Sequence, residues 1–507
     1  MKPCPVKKSR KMRLIIFISA PAVFLIILCE IIFRIMGWGA FQLDPTVYKN
    51  VPGDLTPRQD IIQHHPYMGI SYHIVVNEQG FRGAGKVRTE RPCRILCLGD
   101  SSMMGHGIDE GYTAPDYLRN WLEQDFPGIF DVLNAGSIGY TIDDEFAYWK
   151  EKGAALKPDA VALEIFYNDV NEKEWRMRSG WRTQREFRKT RFPYTPIRSL
   201  MLRSRLFQGL RSAVIAILVK SGRYFPPNRT DMMEVAMRPS KHPEAWEPYE
   251  TELKKFIGAV RAESVPLVAA ITPHQYQLHR WGYPVMDYFG ARDFQDRLIA
   301  LLNEEKVPAI DLLPIYQREM GNLPSLFLTG GLYDEHPDAA GQYIKAREIY
   351  AELKKALESQ GFFNFYAGFD KAEVSGKATT GRLWVPHGDA PSLVMHFGAR
   401  LAYRHLKLGE NPSLVLQPVS PWYSKKDSAT LEVLVTDETT SQTKTFKFET
   451  SKKSGERKPP VIVPLEGYEN KTVCVEWKIK DEPAASGVGE PALCIMAPVL
   501  INQRKNR

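Results

Sequence analysis

Cysteine is scarce in this chain, with six in 507 residues and none at a spacing that marks a zinc site or a disulfide framework. Cys93 and Cys97 lie four apart in one apolar stretch, a separation that extended backbone cannot bridge. Cys474 and Cys494 are left as the one pair open to bonding in an oxidising compartment. No metal and no cofactor is expected. Internal repeats and low-complexity tracts are also missing, so repeat architectures have no support. Positive charge is short in the body of the chain. The net charge is +8, but Lys2, Lys7, Lys8, Arg10, Lys11 and Arg13 precede the first apolar run, and Arg504, Lys505 and Arg507 close the sequence. Nucleic-acid binding therefore has no electrostatic basis. Sequons at Asn228 and Asn470 matter only in a eukaryotic secretory setting and are read as chance.

Only one long hydrophobic run is present, Leu14 to Met36, and as a helix its 23 residues span about 35 Å, enough for a bilayer core. Glu30 and Arg34 sit near its far end, where they can pair or reach the interface. The basic cluster at 1–13 precedes it, which places the N-terminus in the cytoplasm and the rest outside. A cleaved signal peptide is the competing reading. The length of the run and the poor cleavage site at Gly37-Trp38-Gly39-Ala40 favour an uncleaved anchor at 14–36.

From about 91 to 360 short apolar strands alternate with helical patterns. Strands are predicted at Ile95–Leu98, Val132–Asn134, Ala160–Phe166, Leu267–Ile271 and Ala309–Leu312, with a helix from Ala339 to about Leu357. Nearly all-apolar strands separated by helices predict an α/β, three-layer parallel sheet. Within this region, residues 173–223 hold fourteen Lys or Arg against two Glu. They are read as a basic, partly helical insertion (173–225), packed on the main domain or lying over the site or the membrane. From 365 to 507 the pattern becomes period-2 with turn-rich links, which predicts an antiparallel β-sandwich. Trp384, Trp422 and Trp477 are read as its core ahead of sugar-stacking residues. Residues 37–90 and 358–370 are read as connectors.

Chemistry-bearing residues gather at strand ends, where open α/β sheets place their ligands. Arg94-Ile-Leu-Cys-Leu-Gly-Asp-Ser101 ends a strand in a serine, and Asp334-Glu-His336-Pro337 supplies an imidazole beside a carboxylate. That is the raw material of nucleophilic acyl chemistry. With Asn134-Ala-Gly-Ser-Ile-Gly139-Tyr-Thr and Asn168-Asp169 between them, these four blocks resemble the SGNH (GDSL-type) hydrolases over about 90–357. The anchor and the lead-in Val76-Asn-Glu-Gln-Gly-Phe-Arg82 are similar to membrane-anchored bacterial members. The resemblance implies a flavodoxin-like fold, Ser101 as nucleophile, and an oxyanion hole from Ser101, Gly139 and Asn168, with Gly136 as the alternative glycine. It also implies His336 as general base. The family's acid commonly stands three residues before the histidine, where this chain has Tyr333, so Asp334 is the expected acid and Asp338 a substitute. His274, in a loop after the fourth strand, is either a rim contact to substrate or structural.

The expected function is a membrane-anchored serine esterase that deacylates, in particular deacetylates, a cell-envelope or exported polysaccharide. Its catalytic part would lie on the periplasmic side of a bacterial inner membrane. Acyl transfer to a sugar hydroxyl, a lipase or thioesterase activity, and a non-catalytic envelope-binding role are the alternatives. No protein partner is indicated.

Overall fold

The computed structural model describes residues 53–64, 71–83, 93–126, 128–170, 230–278, 291–320, 336–375, 378–385, 388–396, 399–419, 428–451, 461–479 and 491–502, with short pieces elsewhere, chiefly 23–32. Its first strands, β1 (Gln59–His64) and β2 (Ser71–Val76), pair antiparallel. They fall in the stretch read from sequence as a connector, and Tyr72, Ile74 and Val76 are buried there. Residues 53–64 and 71–83 are therefore folded structure.

A five-stranded parallel sheet follows, built from β3 (Cys93–Leu98), β4 (Phe130–Asn134), β5 (Ala160–Ile165), β6 (Leu267–Ile271) and β7 (Ala309–Asp311). The spatial order is β4-β3-β5-β6-β7. This is the flavodoxin-like order, with its switch point between β3 and β5. Every residue of β4, β5 and β6 is buried, which is why β6 reads as a continuous apolar run and β5 as one broken only by Glu164. Along β3 the side chains alternate between two cores: Leu96 and Leu98 face one, Cys93, Ile95 and Cys97 the other. The burial of Cys97 pushes its thiol up to about 12.

Seven helices carry the argument: α1 (Ser101–Met104), α2 (Ala114–Asp125), α3 (Ile142–Tyr148), α4 (Pro243–Ala262), α5 (Asp293–Glu304), α6 (Leu312–Glu319) and α7 (Ala339–Ser359). Helices α3, α4 and α5 cover one face of the sheet, and α2, α6 and α7 cover the other. Helix α2 starts in a capping box, with the Thr113 hydroxyl accepting from Asp116 N and Asp116 reaching back to Thr113 N.

Two antiparallel sheets form the expected sandwich. One runs through Ala378–Val385, Gly388–His396, Pro491–Asn502, Pro412–Val419 and Val461–Pro464, with Phe363–Asn364 alongside; the other through Thr443–Ser451, Ser428–Asp437, Thr472–Ile479, Arg400–Lys407 and Glu373–Ser375. Leu401, Tyr403, Leu431, Val433, Val435, Val473, Val475 and Trp477 alternate inward to make its core. Trp477 is thus core. Trp384 falls in a described strand, and Trp422 lies outside the described residues. Val415, Val499 and Ile501 point the other way and join the core beneath α2 and α7. Phe362 stacks on Phe130 at 6.1 Å in the same place. Residues 358–370 therefore weld the two domains rather than merely connect them.

Cys474 is a buried free thiol, so the pairing left open with Cys494 is not made. Among the described residues no helix is long and apolar enough to cross a membrane. The expected anchor lies partly outside them; its described stretch 23–32 is helical, with Val23, Phe24, Leu25, Ile26 and Ile27 exposed. The basic insertion lies outside the described residues except at a few positions. Two of these touch the N-terminal helix, where Glu30 Oε2 accepts from Ser204 Oγ and from Leu206 N, each at 2.9 Å.

Candidate active site

Strand β3 ends in a turn that only glycine makes. Gly99 has φ +156°, and a Cβ there would stand 2.6 Å from Met103 Cβ and 3.1 Å from Glu164 Cβ. Asp100 then caps α1, its Oδ1 accepting from Ser102 N at 2.7 Å. This makes Ser101 the first residue of a short helix, 8 % exposed. Its N–H is one that helix geometry leaves without an intrahelical acceptor. Ser101 Oγ lies 2.7 Å from Nε2 of His336, which is 7 % exposed and 235 residues away in sequence. A hydroxyl donating to an imidazole nitrogen is the nucleophile–base contact of acyl transfer.

His336 is delivered by the segment that starts α7. Phe327 and Pro337 form a β-bridge, and Asp338 N donates to Leu326 O at 2.9 Å. Asp334 lies outside the described residues. Asp338, the substitute acid, serves as the N-cap of α7: its Oδ1 accepts from Ala340 N and Gly341 N, each at 2.9 Å. Burial raises its carboxyl above the usual range, against the pull of those two N–H groups.

Asn168 follows β5 in a 3-10 turn, Tyr167–Val170, across the switch-point crevice from Ser101. Its Nδ2 donates to Asp100 Oδ2 at 3.0 Å, which fixes the amide plane beside the nucleophile. Asp169 Oδ2 accepts from Phe166 N at 2.9 Å and shapes the same turn. The block after β4 is bound to the end of β3 by Ser137 N donating to Gly99 O at 3.1 Å. Gly139 lies in the turn that follows, at φ +70°. Gly136 has another task. Its N–H donates to Asn134 Oδ1 at 3.1 Å, and a Cβ there would lie 2.3 Å from Met104 N. It lets the strand-end backbone press against α1.

His274 is 2 % exposed. Its ring lies 4.8 Å from Tyr167 and 4.7 Å from Tyr276, and its Nδ1 accepts from Tyr276 N at 3.1 Å. It occupies a buried aromatic nest rather than the rim.

Four features escaped the sequence reading. The first is a buried ion pair beneath the nucleophile: Lys345 Nζ lies 2.6 Å from Glu164 Oε1, both side chains 0 % exposed. Lys345 also donates to Ser102 O (3.2 Å) and Ser102 Oγ (3.1 Å), Ser102 Oγ to Glu164 Oε1 (2.8 Å), Thr272 Oγ1 to Glu164 Oε1 (2.5 Å), and Gln342 Nε2 to Ser102 O (2.9 Å). The residue after the nucleophile is thereby fastened to β5, β6 and α7. The available signal was Glu164, the one charge in the apolar strand Ala160–Ile165; Lys345 lies in a charge-rich helix that gives none.

The second is Arg82, 1 % exposed, whose guanidinium donates to the carbonyls of Met104, Gly105 and Ile108 and so clamps the loop after α1. The lead-in turn prepares it, with Asn77 Oδ1 accepting from Gln79 N and Phe81 N. The third is His106, whose ring centroid lies 4.8 Å from that of His336. The fourth is Glu145, 1 % exposed in α3. Burial first, then Asp100, Asp144 and Glu164, holds its carboxyl well above the usual range.

No family model and no curated protein matches the chain. Solved structures that it is similar to include the acetylxylan esterase Axe2 from Geobacillus stearothermophilus, at 17% identity over 52% of this chain and 94% of that one, with a TM-score of 0.33. TesA is matched at 18% identity over 52% of this chain and 99% of its own, with a TM-score of 0.30. A two-domain esterase active on acetylated mannans, CEX, is matched at 14% identity over 82% of this chain and 92% of that one, with a TM-score of 0.28. The fold assignment rests on the strand order given above and not on these likenesses.

Proposed function

We propose that the chain is a serine esterase with Ser101 as nucleophile and His336 as general base. The 2.7 Å contact between Ser101 Oγ and His336 Nε2 carries the reading, because the two residues come from opposite ends of the α/β domain and meet at its switch point. Ser101 attacks the ester carbonyl while His336 takes the hydroxyl proton; His336 then gives that proton to the departing alcohol. Water, activated by the same imidazole, releases the acid from the acyl-enzyme. The N–H groups of Ser101 and Gly139 and the Asn168 amide are the proposed donors to the oxyanion, each worth about 3–4 kcal/mol in the transition state. Asp334 is the proposed partner of the His336 ring.

The proposed substrate is a short acyl ester, such as acetyl, on a cell-envelope or exported polysaccharide. The polar surroundings of Ser101, namely Asp100, His106 and Asn168, support a small polar ester over a long alkyl chain. The N-terminal apolar run supports membrane attachment with the site outside the cytoplasm.

The test is fluorophosphonate labelling of the full chain in mild detergent beside its Ser101→Ala variant, followed by acyl release from acetylated polysaccharides and from long-chain acyl esters. Labelling of the wild type alone, with faster release from the acetylated substrates, is expected. An unlabelled wild type would refute the esterase reading, and preference for long chains would refute the substrate class.

A further inference from the structure

We propose that His106, held by Tyr72, is a positioning residue for the general base, so that the N-terminal hairpin belongs to the catalytic unit. The inference rests on the serine-esterase reading and names a part of that site which the four sequence blocks do not contain.

Three contacts close a ring around the nucleophile. His106 N donates to Ser101 O at 2.8 Å, which ties its backbone to the nucleophile. The His106 ring then lies against the His336 ring, with centroids 4.8 Å apart and planes at 49°. His336 Nε2 returns to Ser101 Oγ at 2.7 Å. One residue thus touches the nucleophile through its backbone and the base through its side chain.

The outer side of His106 is set by the hairpin. Tyr72 Oη lies 3.2 Å from His106 Nδ1, and the two rings meet edge-on at 5.7 Å. Tyr72 is 2 % exposed, so its own position is fixed by packing. The strand that carries it is docked on the same loop, with His73 N donating to Asp109 Oδ1 at 2.7 Å and Glu110 N to His73 O at 3.0 Å. Arg82 adds its bonds to the carbonyls of Met104, Gly105 and Ile108. The loop bearing His106 is therefore pinned from the hairpin side along most of its length.

An imidazole on a short segment can turn about two side-chain bonds, and only some settings point Nε2 at the serine. A ring packed against its side removes the others. The expected penalty for losing that restraint is large, because a misplacement of about 1 Å costs about 100-fold in rate. A bracing role predicts that kcat falls while KM holds. A direct substrate contact predicts a change in KM, and a merely structural hairpin predicts a change in melting temperature.

The experiment uses the full chain in mild detergent, with kcat and KM for p-nitrophenyl acetate, melting temperature and fluorophosphonate labelling measured on the same samples. His106→Ala is expected to lower kcat roughly 10- to 100-fold with KM within about twofold. His106→Phe, which keeps a ring against His336, is expected to regain most of the loss. Tyr72→Phe, which removes one hydroxyl, is expected to lower kcat by about threefold to fivefold. Unchanged kcat in His106→Ala, a rise in KM alone, or a His106→Phe variant as slow as the alanine would each overturn the proposal. If His106→Ala does not fold, Tyr72→Phe decides, and an unchanged kcat there overturns it. A wild type that neither labels nor turns over defeats the esterase reading instead, whatever the variants do.

Discussion

Replacing Lys345 by Met tests the ion pair under the nucleophile. Both partners are 0 % exposed and 2.6 Å apart, so neither charge has water to fall back on. Removing one partner of such a pair costs about 3–5 kcal/mol, mostly because the other charge is left buried alone. In a body of this size that lowers the melting temperature by on the order of 5–10 °C. Glu164 keeps Ser102 Oγ and Thr272 Oγ1 as donors, but two neutral hydroxyls do not replace the cation. The double variant Glu164→Gln/Lys345→Met removes both charges and keeps an acceptor for Ser102. It is expected within about 1–1.5 kcal/mol of the wild type, since neutral replacement of a buried pair costs little. With about 3–5 kcal/mol lost in each single variant and about 1–1.5 in the double, the coupling energy is on the order of 5–9 kcal/mol. Urea and thermal melts followed by near-ultraviolet circular dichroism measure it. Single-variant losses below about 1 kcal/mol, or a double variant equal to the sum of the singles, would refute the reasoning.

Gly136→Ala sets a Cβ 2.3 Å from Met104 N, so α1 must shift and Ser101 with it. A kcat loss of about 100-fold is expected in an acetyl-ester assay, with Gly258→Ala, where nothing lies within 4 Å, as the unaffected control. Equal activity in both would show that α1 tolerates displacement. Glu145→Gln tests the buried acid in α3. The folded state holds the Glu145 proton to a higher pH than the unfolded state does, so the wild type loses stability as pH rises above the unfolded pKa. The melting-temperature advantage of the Gln variant is expected to grow from pH 5 to pH 8, and a constant or shrinking difference would contradict it.

The sheet was legible because strands buried on both faces are written as apolar runs, and Ile95–Leu98 or Leu267–Ile271 admits few other readings. Ser101, Asn168 and His336 were legible because strand ends are where such a sheet exposes chemistry. The hairpin was missed because Ser71–Val76 is short and only three of its residues turn inward. Tyr72, Arg82 and His106 carry no local mark of their roles, which arise when the hairpin lies across the loop after α1. Glu164 is the one charge in the apolar strand Ala160–Ile165, whereas Lys345 is one of several in α7 and carries no mark of its own. Pairing them required knowing that α7 packs across β5, a fact of topology and not of spacing. The burial of His274 was not legible for a similar reason, since Phe166 and Tyr167 reach its ring from the end of β5.

The shared core beneath α2 and α7 has a consequence for the timing of synthesis. Val499 and Ile501 sit on the strand Pro491–Asn502, which begins roughly 130 residues after α7 ends. At about 5–20 residues per second, the ribosome needs about 7–28 s to supply them. Through that interval the nascent α/β unit carries an uncapped greasy flank, made of Phe126, Phe130, Leu357 and Phe362. Quality-control factors thus have a window in which to hold the chain, and it closes only when the late strand is threaded between Gly388–His396 and Pro412–Val419.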